Sequence, residues 1–462
     1  MPEDALMIGV SGMRGTVGGT LTPAVVSRMA GAFAKWLWSR HDRPNDQPPK
    51  VVLGRDSRPS GVYVRDAAAA TLVAAGIELI DLGIVSTPGV AMMVTYLEAD
   101  AGIVATASHN PIVWNGLKFL DATGIAPPPD DVAEIRGFYD ADEPPLVTVD
   151  RLVQPRSDPT THAYHVKRVL DGRDILGIST KAYKVVLDSV NGAGCVTGAT
   201  LLSKLGCRIV HLGDKPDGQF PHEPEPTEAN LQGLCDEVRR QKAAVGFAQD
   251  PDADRLAIVD ENGTYIGEEY TLALCARAVL SKKKAGGGGT IVANLSTSRM
   301  IDDVVARFGG TVVRTPVGEA NVIQSIRRES AVLGGEGNGG VIDPRVVGGR
   351  DSLVAMTLVL TLLADTGMTL SELVADMPRY VIVKDKLPLA NKEDAEPVID
   401  QVAERFSEEH INTSDGLRVD WPDGWLSVRA SNTEPILRII CEAPNETSAH
   451  ARIAEARKAA AI

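Results

Sequence analysis

The chain has 462 residues, more than one hydrophobic core usually supports, so roughly three or four domains of ordinary size are expected. Hydrophobic residues at 44% and charged residues at 23% are the balance of a globular protein and exclude a disordered or fibrous one. A formal net charge of -14 argues against nucleic acid and anionic membrane as partners, because both need an extended basic surface; an anionic small substrate would need only a local arginine cluster.

The chain starts Met1-Pro-Glu-Asp4, without the basic start and apolar core of a signal peptide. The longest apolar helix candidate, 353–364, stops at Asp365, too short to span a bilayer. The five cysteines show no CxxC spacing and are an odd count, which reads as reduced, mostly buried thiols in a cytoplasmic protein.

From the start of the chain, Arg14 in Ser11-Gly-Met-Arg-Gly15 reads as a glycine-flanked turn where a guanidinium could meet phosphate. A phrase of apolar strand and polar loop then recurs in three pairs. Val51-Val-Leu-Gly-Arg-Asp-Ser-Arg58 goes with Gly102-Ile-Val-Ala-Thr-Ala-Ser108, and Val185-Val-Leu-Asp-Ser-Val-Asn-Gly192 with Val245-Gly-Phe-Ala-Gln-Asp250. The third pair is Ile291-Val-Ala-Asn-Leu-Ser296 with Ala331-Val-Leu-Gly-Gly-Glu336. Helix-like segments such as 65–75 and 302–308 lie between members, ended by Gly76 and Gly309 as C-caps. Continuously apolar strands separated by helices imply α/β domains with mixed, mostly parallel sheets covered on both faces, with ligands beyond the carboxyl ends of the strands. The last stretch differs: Leu417-Arg-Val-Asp-Trp421, Trp425-Leu-Ser-Val-Arg429 and Ile436-Leu-Arg-Ile-Ile440 are closely spaced strands flanked by helix candidates at 394–406 and 448–459. This predicts an α+β module with a largely antiparallel sheet. Linkers are expected at 152–159 and 377–384. The expected domains are residues 1–155, 156–258, 259–372 and 373–462.

Two loops carry the chemistry. In Thr106-Ala-Ser-His-Asn-Pro111 a hydroxyl nucleophile stands straight after a buried strand. Ser108 could instead cap a turn, with Asn110-Pro111 as punctuation. A serine hydrolase is disfavoured by the missing Gly-x-Ser-x-Gly elbow, and an adjacent His109 seldom reaches its neighbour's hydroxyl. Asp250-Pro-Asp-Ala-Asp-Arg255 offers three carboxylates on alternate residues, which repel one another unless a cation sits among them; a hard oxygen set of this size suits Mg²⁺. An EF-hand would begin similarly and finds Glu261 at its twelfth position, but Arg255 replaces the required glycine; a solvated acidic turn is the plainer alternative. If Ser108 carries phosphate, its charge of roughly -1.5 to -2 beside three carboxylates requires a divalent cation between them.

Around these loops, Asn115-Gly116 signals a hairpin between Ile112-Val-Trp114 and Leu117-Lys-Phe-Leu120, which would swing Lys118 toward Ser108 as a general acid/base candidate. Gly335-Glu-Gly-Asn-Gly-Gly340 fits a dinucleotide pattern, but Glu336 would repel a pyrophosphate; Glu336 and Asn338 suit sugar hydroxyls better. Gly192-Ala-Gly-Cys-Val-Thr-Gly198 lacks the tight first turn of a dinucleotide site. Arg429-Ala-Ser-Asn-Thr-Glu-Pro435 joins two strand-like runs through a loop rich in phosphate donors, although a helix N-cap is the alternative.

Together, Thr106 to Pro111, Asp250 to Arg255, Gly335-Glu-Gly-Asn-Gly339 and Arg429 to Pro435 resemble the motifs of the α-D-phosphohexomutase family, in order and spacing, from Ser11 to Glu442. The resemblance implies three related α/β domains and a C-terminal α+β domain around a central cleft. It implies that Ser108 is a phosphoserine, that Asp250, Asp252 and Asp254 with the serine phosphate hold Mg²⁺, and that Arg429, Ser431, Asn432 and Thr433 bind the substrate phosphate. By the same resemblance Glu336 and Asn338 read the sugar, Arg255 helps hold the anion, and Arg14, Lys118 and His109 assist at the reacting oxygen. It further implies a hexose phosphate substrate, a hexose 1,6-bisphosphate activator, and leaves a homodimer open. Where many relatives carry Ser-Gly-His in the sugar loop, this chain has Asn338-Gly-Gly340 and so lacks that histidine. The Gly-Glu-Gly-Asn-Gly-Gly form, with Val317-Gly-Glu-Ala-Asn-Val322 and Gly349-Arg-Asp351, is similar to phosphoglucosamine mutases of the archaeal-like branch.

Overall fold

The computed structural model describes residues 6–9, 12–40, 47–283, 287–431 and 435–460. They fall into two compact units: Met1–Thr271 with Gly340–Ser371, and Leu272–Gly339 with Glu372–Ile462. The architecture is three α/β domains with mixed sheets and a C-terminal domain built on an antiparallel sheet.

In the first unit a seven-stranded sheet runs Met7–Gly9, Gly12–Thr16, Trp114–Leu120, Ala101–Ala105, Lys50–Arg55, Glu78–Ile84, Arg156–Ser157. Ala101–Ala105 is buried along its whole length and pairs parallel with Lys50–Arg55. Such strands have no polar face to offer water, so helices must cover both sides. The helix Pro23–Ser39 does so on one side: Thr22 accepts from Val25 N as N-cap, proline takes the first turn, and Phe33 stacks on Phe119 with ring centroids 4.3 Å apart. Full burial of a ring such as Phe33 contributes about 2–3 kcal/mol.

A second sheet of this unit runs Leu256–Val259, Val245–Gln249, Lys184–Asp188, Arg208–Leu212, antiparallel at the first pair and parallel thereafter. The loop Asp250 to Arg255 is therefore the turn between two buried antiparallel strands. The helix Ser352–Thr366 returns to this unit from far along the chain and packs against Thr161–Leu170, Ile175–Ser179 and Cys195–Lys204. Residues 352–363 are all buried, which explains a helix apolar all round. Asp351 caps its start and Gly367, at φ +69°, its end; no helix among the described residues is long and apolar enough to cross a membrane.

In the second unit Thr290–Asn294 pairs parallel with Thr311–Thr315 on one side and Leu333–Glu336 on the other. A five-stranded antiparallel sheet runs Val381–Pro388, Ile436–Ala443, Gly424–Ala430, Leu417–Trp421, His410–Asn412. The helices Ala395–Arg405 and Glu446–Ala459 close its core over Leu426, Ile439 and Phe406.

Two local expectations give way. Asn115-Gly116 is not a hairpin turn but lies inside one strand, Trp114–Leu120, paired with Gly12–Thr16. The glycine serves close approach, since a Cβ there would sit 2.0 Å from the Met13 carbonyl oxygen. Arg14 accordingly lies in the strand Gly12–Thr16 rather than in a turn. The two stretches expected as linkers carry some strand: 377–384 enters from Val381 the edge strand Val381–Pro388, whose burial alternates with exposure, and 152–159 contains the short strand Arg156–Ser157.

Candidate active site

Ser108 follows the strand Ala101–Ala105 by three residues and is 1% exposed, with its backbone at φ +51°. A non-glycine residue there costs on the order of 1–3 kcal/mol, so the surroundings must hold it. They do so from several sides. Ser108 N donates to Thr106 Oγ1 at 2.9 Å, and Thr106 Oγ1 donates to Asp56 Oδ2 at 2.6 Å. Arg58, fully buried, donates from Nη2 to the carbonyls of Ser108 and Asn110, each at 2.6 Å, and from Nη1 to those of Pro111 and Trp114 at 2.9 and 3.2 Å. Its Nε lies 3.1 Å from Asp56 Oδ2, which neutralises it. One guanidinium thus gathers four carbonyls and imposes the loop's shape, using the fork of donors that lysine lacks.

The acidic loop is folded around Asp250. Its Oδ1 accepts from Asp254 N at 3.1 Å and Arg255 N at 3.2 Å, and Ala253 at φ +55° completes the turn. Its Oδ2 accepts from Ser108 Oγ at 3.1 Å, so the two loops meet. Asp252 Oδ2 accepts from Thr87 Oγ1 at 2.6 Å and Lys118 Nζ at 2.7 Å, and Asp254 Oδ2 from Arg350 Nη2 at 2.6 Å. The other oxygens, Asp252 Oδ1 and Asp254 Oδ1, are buried and accept no hydrogen bond.

One carboxylate oxygen from each aspartate lies within 4.8 Å of the others. Burial, followed by the charges of Asp254 and Asp252, raises the Asp250 carboxyl well above the usual range. Burial also opposes the charged forms of Asp252 and Asp254, yet Lys118 on the first and Arg350 with Lys118 on the second outweigh it and hold both below that range. Two buried anionic oxygens without donors, beside a third carboxylate under repulsion, form a donor set that fits a hard divalent cation.

The cations expected here are brought to the same place. Burial pulls Lys118 down, but Asp252 and Asp254, 2.7 and 3.5 Å away, raise it overall, so it stays protonated. Arg255 Nε lies 4.0 Å from Asp250 and 3.8 Å from Asp254, and Arg14 Nη1 reaches Asn110 Oδ1 at 3.4 Å. His109 Nδ1 is 3.5 Å from Ser108 Oγ, at the limit of a hydrogen bond. Burial and then Arg255 and Arg14 push its imidazole down to about 3, so it is neutral at ordinary pH.

Sequence reasoning passed over Arg58, Thr87 and Arg350 as site residues. An Asp-x-Arg directly after a buried strand was the available signal for Arg58. Ser86-Thr-Pro, a cap followed by proline, marks the helix Thr87–Tyr96, whose first residue also donates its backbone N–H to the Asp252 carbonyl at 3.0 Å. Ser86 Oγ lies 3.3 Å from His165 Nδ1, and His165 Nε2 lies 2.8 Å from Asp351 Oδ2. This buried chain braces Thr87 and Arg350, the partners of Asp252 and Asp254.

The second unit holds the residues expected to read sugar and phosphate. Glu336 ends the strand Leu333–Glu336, is 4% exposed, and accepts at Oε1 from Asn294 Nδ2 at 2.9 Å and Gly318 N at 3.3 Å. Asn338 follows, half-buried. Arg429 ends the strand Gly424–Ala430 and donates from Nη1 to Asp415 Oδ2 at 3.3 Å, while Ser431 N donates to the Ile436 carbonyl at 3.0 Å. Asn432 and Thr433 lie outside the described residues.

The chain matches, in succession, the family described as Phosphoglucomutase/phosphomannomutase: alpha/beta/alpha domain I over residues 5–145, domain II over 163–263, domain III over 268–380 and the C-terminal domain over 381–460. A phosphoglucomutase/phosphomannomutase of Thermococcus kodakarensis is 36% identical over 446 residues, 96% of each chain. A probable phosphoglucosamine mutase of Methanopyrus kandleri is 37% identical over 446 residues, 96% of this chain and 94% of that one. Among solved structures, a phosphoglucomutase/phosphomannomutase family protein of Burkholderia thailandensis superposes with a TM-score of 0.83 at 29% identity, covering 98% of this chain and 97% of that one.

Proposed function

Because the chain belongs to the α-D-phosphohexomutase family and is a phosphohexomutase, we propose that it converts glucosamine 6-phosphate to glucosamine 1-phosphate through a phosphoserine at Ser108. The observation that carries the covalent route is the meeting of Ser108 Oγ with Asp250 Oδ2 inside a cluster of three aspartates. Phospho-Ser108 gives its phosphoryl group to O1 of the 6-phosphate, whose hydroxyl proton leaves, and free Ser108 results with a hexose 1,6-bisphosphate. The bisphosphate turns, its 6-phosphate passes to Ser108, O6 regains a proton, and the 1-phosphate departs.

Asp250, Asp252 and Asp254 with the Ser108 oxygen would hold Mg²⁺, which supplies charge neutralisation to the phosphoryl group. The chain's own residues do the rest. Arg58 presents Ser108, Arg14 and Arg255 offset the incoming anion, protonated Lys118 can give a proton, and His109 stands beside the Ser108 hydroxyl. Glu336 and Asn338 take the sugar hydroxyls, and Arg429 and Ser431, with Asn432 and Thr433, take the distal phosphate.

The glucosamine reading is supported by Gly335-Glu-Gly-Asn-Gly-Gly340 and by the name of the Methanopyrus relative. Glucose and mannose phosphates are the second reading, favoured by the name of the Thermococcus relative at nearly the same identity. Assaying glucosamine, glucose and mannose 6-phosphates side by side with Mg²⁺ and catalytic bisphosphate tests the choice. The highest kcat/KM is expected for the amino sugar, and finding it the poorest of the three overturns that reading.

A further inference from the structure

Asp415 stands in the turn Asn412-Thr-Ser-Asp-Gly416, outside every motif that suggested a function. The turn is pinned from within, because Asn412 Oδ1 accepts from Ser414 N at 2.9 Å and Ser414 Oγ at 2.7 Å. It is also pressed onto the strand Gly424–Ala430: Gly416 has φ +69°, and a Cβ there would sit 2.4 Å from the Val428 carbonyl oxygen. Asp415 therefore holds a set position beside Arg429.

One oxygen, Asp415 Oδ2, accepts from Val317 N at 2.8 Å and from Arg429 Nη1 at 3.3 Å. The very next amide, Gly318 N, donates to Glu336 Oε1. Gly318 has φ +127°, which side chains rarely adopt, so the loop keeps this presentation of successive N–H groups through its glycine. Adjacent amides of one short loop are divided between two carboxylates. The two N–H groups belong to consecutive peptide planes that meet at the Cα of Val317, so a shift of Asp415 reaches Glu336 across one residue.

We propose that Asp415 is a positioning residue for substrate specificity: it registers the arginine that grips the distal phosphate against the carboxylate that reads the sugar hydroxyls. This rests on the recognition roles given above to Arg429 and Glu336. Arginine has five N–H donors in a planar fork, so Arg429 can keep one on Asp415 and offer others to phosphate, with the plane of the guanidinium set by Asp415. A sugar anchored in that plane brings its hydroxyls to Glu336 in one register. An epimer anchored in the same plane presents a hydroxyl on the wrong side.

Asp415→Asn keeps at that position an oxygen able to accept from both Val317 N and Arg429 Nη1 but removes its charge, so the guanidinium is held by a neutral hydrogen bond in place of a charge-assisted one. The phosphate then loses an anionic competitor, and its anchor is held more weakly. The expected result is a competitive Ki for inorganic phosphate as tight as in the parent or tighter, with the kcat/KM preference for the best hexose 6-phosphate over the worst reduced about tenfold, the size of one charge-assisted hydrogen bond. Asp415→Ala frees Val317 as well and should reduce the preference further. An unchanged preference in Asp415→Asn, or a fall in preference accompanied by an equal weakening of phosphate, overturns the proposal. Arg429→Ala separates this outcome from failure of the recognition roles: it should weaken phosphate at least about tenfold. If it does not, the cradle reading falls and takes this inference with it; if it does while Asp415→Asn keeps the parental preference, only the inference falls.

Discussion

The two groups of functional carboxylates are treated in opposite ways. In the first unit, Asp252 Oδ1 and Asp254 Oδ1 are buried and receive no hydrogen bond, and Asp250 is crowded by both neighbours. In the second, Glu336 Oε1 and Asp415 Oδ2 each accept two donors from their own unit, one backbone amide and one side chain apiece. A carboxylate left short of donors is under strain that a cation relieves, whereas one already bonded is an orienting group whose position is set in advance.

The strongest way to break the comparison is at the nucleophile. Ser108→Ala should lower turnover by on the order of 10⁴-fold or more while the protein remains folded, and should abolish transfer of label from hexose bisphosphate to protein. Full activity would remove the covalent route and leave the aspartates without a partner. Next in size is the clamp. Arg58→Met leaves Asp56 uncompensated and four carbonyls short of a donor, and should cost about 3–5 kcal/mol in urea denaturation. A loss under about 1 kcal/mol would show that the loop keeps its strained serine by other means.

The contrast itself is sharpened by a matched pair. Asp252→Asn takes the charge from a proposed Mg²⁺ ligand and should weaken Mg²⁺ by about 100-fold or more in calorimetric titration, with activity falling in step. Glu336→Gln should leave Mg²⁺ affinity unchanged and raise KM about tenfold, the range of one hydrogen bond to a charged group. Equal effects of both on metal binding would contradict the separation of roles.

The smallest effect belongs to an ordinary ion pair outside the cluster of three aspartates. Burial lowers His222, but its bond to Asp188 Oδ2 at 3.0 Å and that carboxylate's charge outweigh this and raise it above 6.5. The folded state therefore binds the proton more tightly than the unfolded one. Its stabilisation is complete below about pH 6.5 and is lost as pH rises through the raised value. His222→Gln should flatten that part of the stability–pH curve, measured by denaturation between pH 6 and 8.5, without altering Mg²⁺ affinity.

Much of the site was legible because its signals are local. Alternate aspartates in one turn and a serine after a buried apolar strand are short-range patterns, and strands such as Ala101–Ala105 and Val245–Gln249 declare themselves by unbroken apolarity. What escaped notice acts over long separations. Arg58 works 50 or more residues away on the serine loop, and Thr87 works 165 residues away on Asp252. The local signals, an Asp-x-Arg after a buried strand and a Ser-Thr-Pro helix start, do not say which distant loop each side chain serves. Asn115-Gly116 shows the converse, a strong local turn signal overruled by the close passage of the Met13 carbonyl.

The amino-acid order thus determined the repeated strand–helix units, the antiparallel last domain and the chemical character of each loop, because hydrophobic period and side-chain type are carried residue by residue. Tertiary structure alone decided which donors each carboxylate received, that Lys118 is a bound cation, that the apolar helix Ser352–Thr366 packs with residues far earlier in the chain, and that Asp415 joins Arg429 to the loop beside Glu336. Those outcomes depend on where distant segments converge. Convergence arises from packing and burial of whole elements, which no window of neighbouring residues contains.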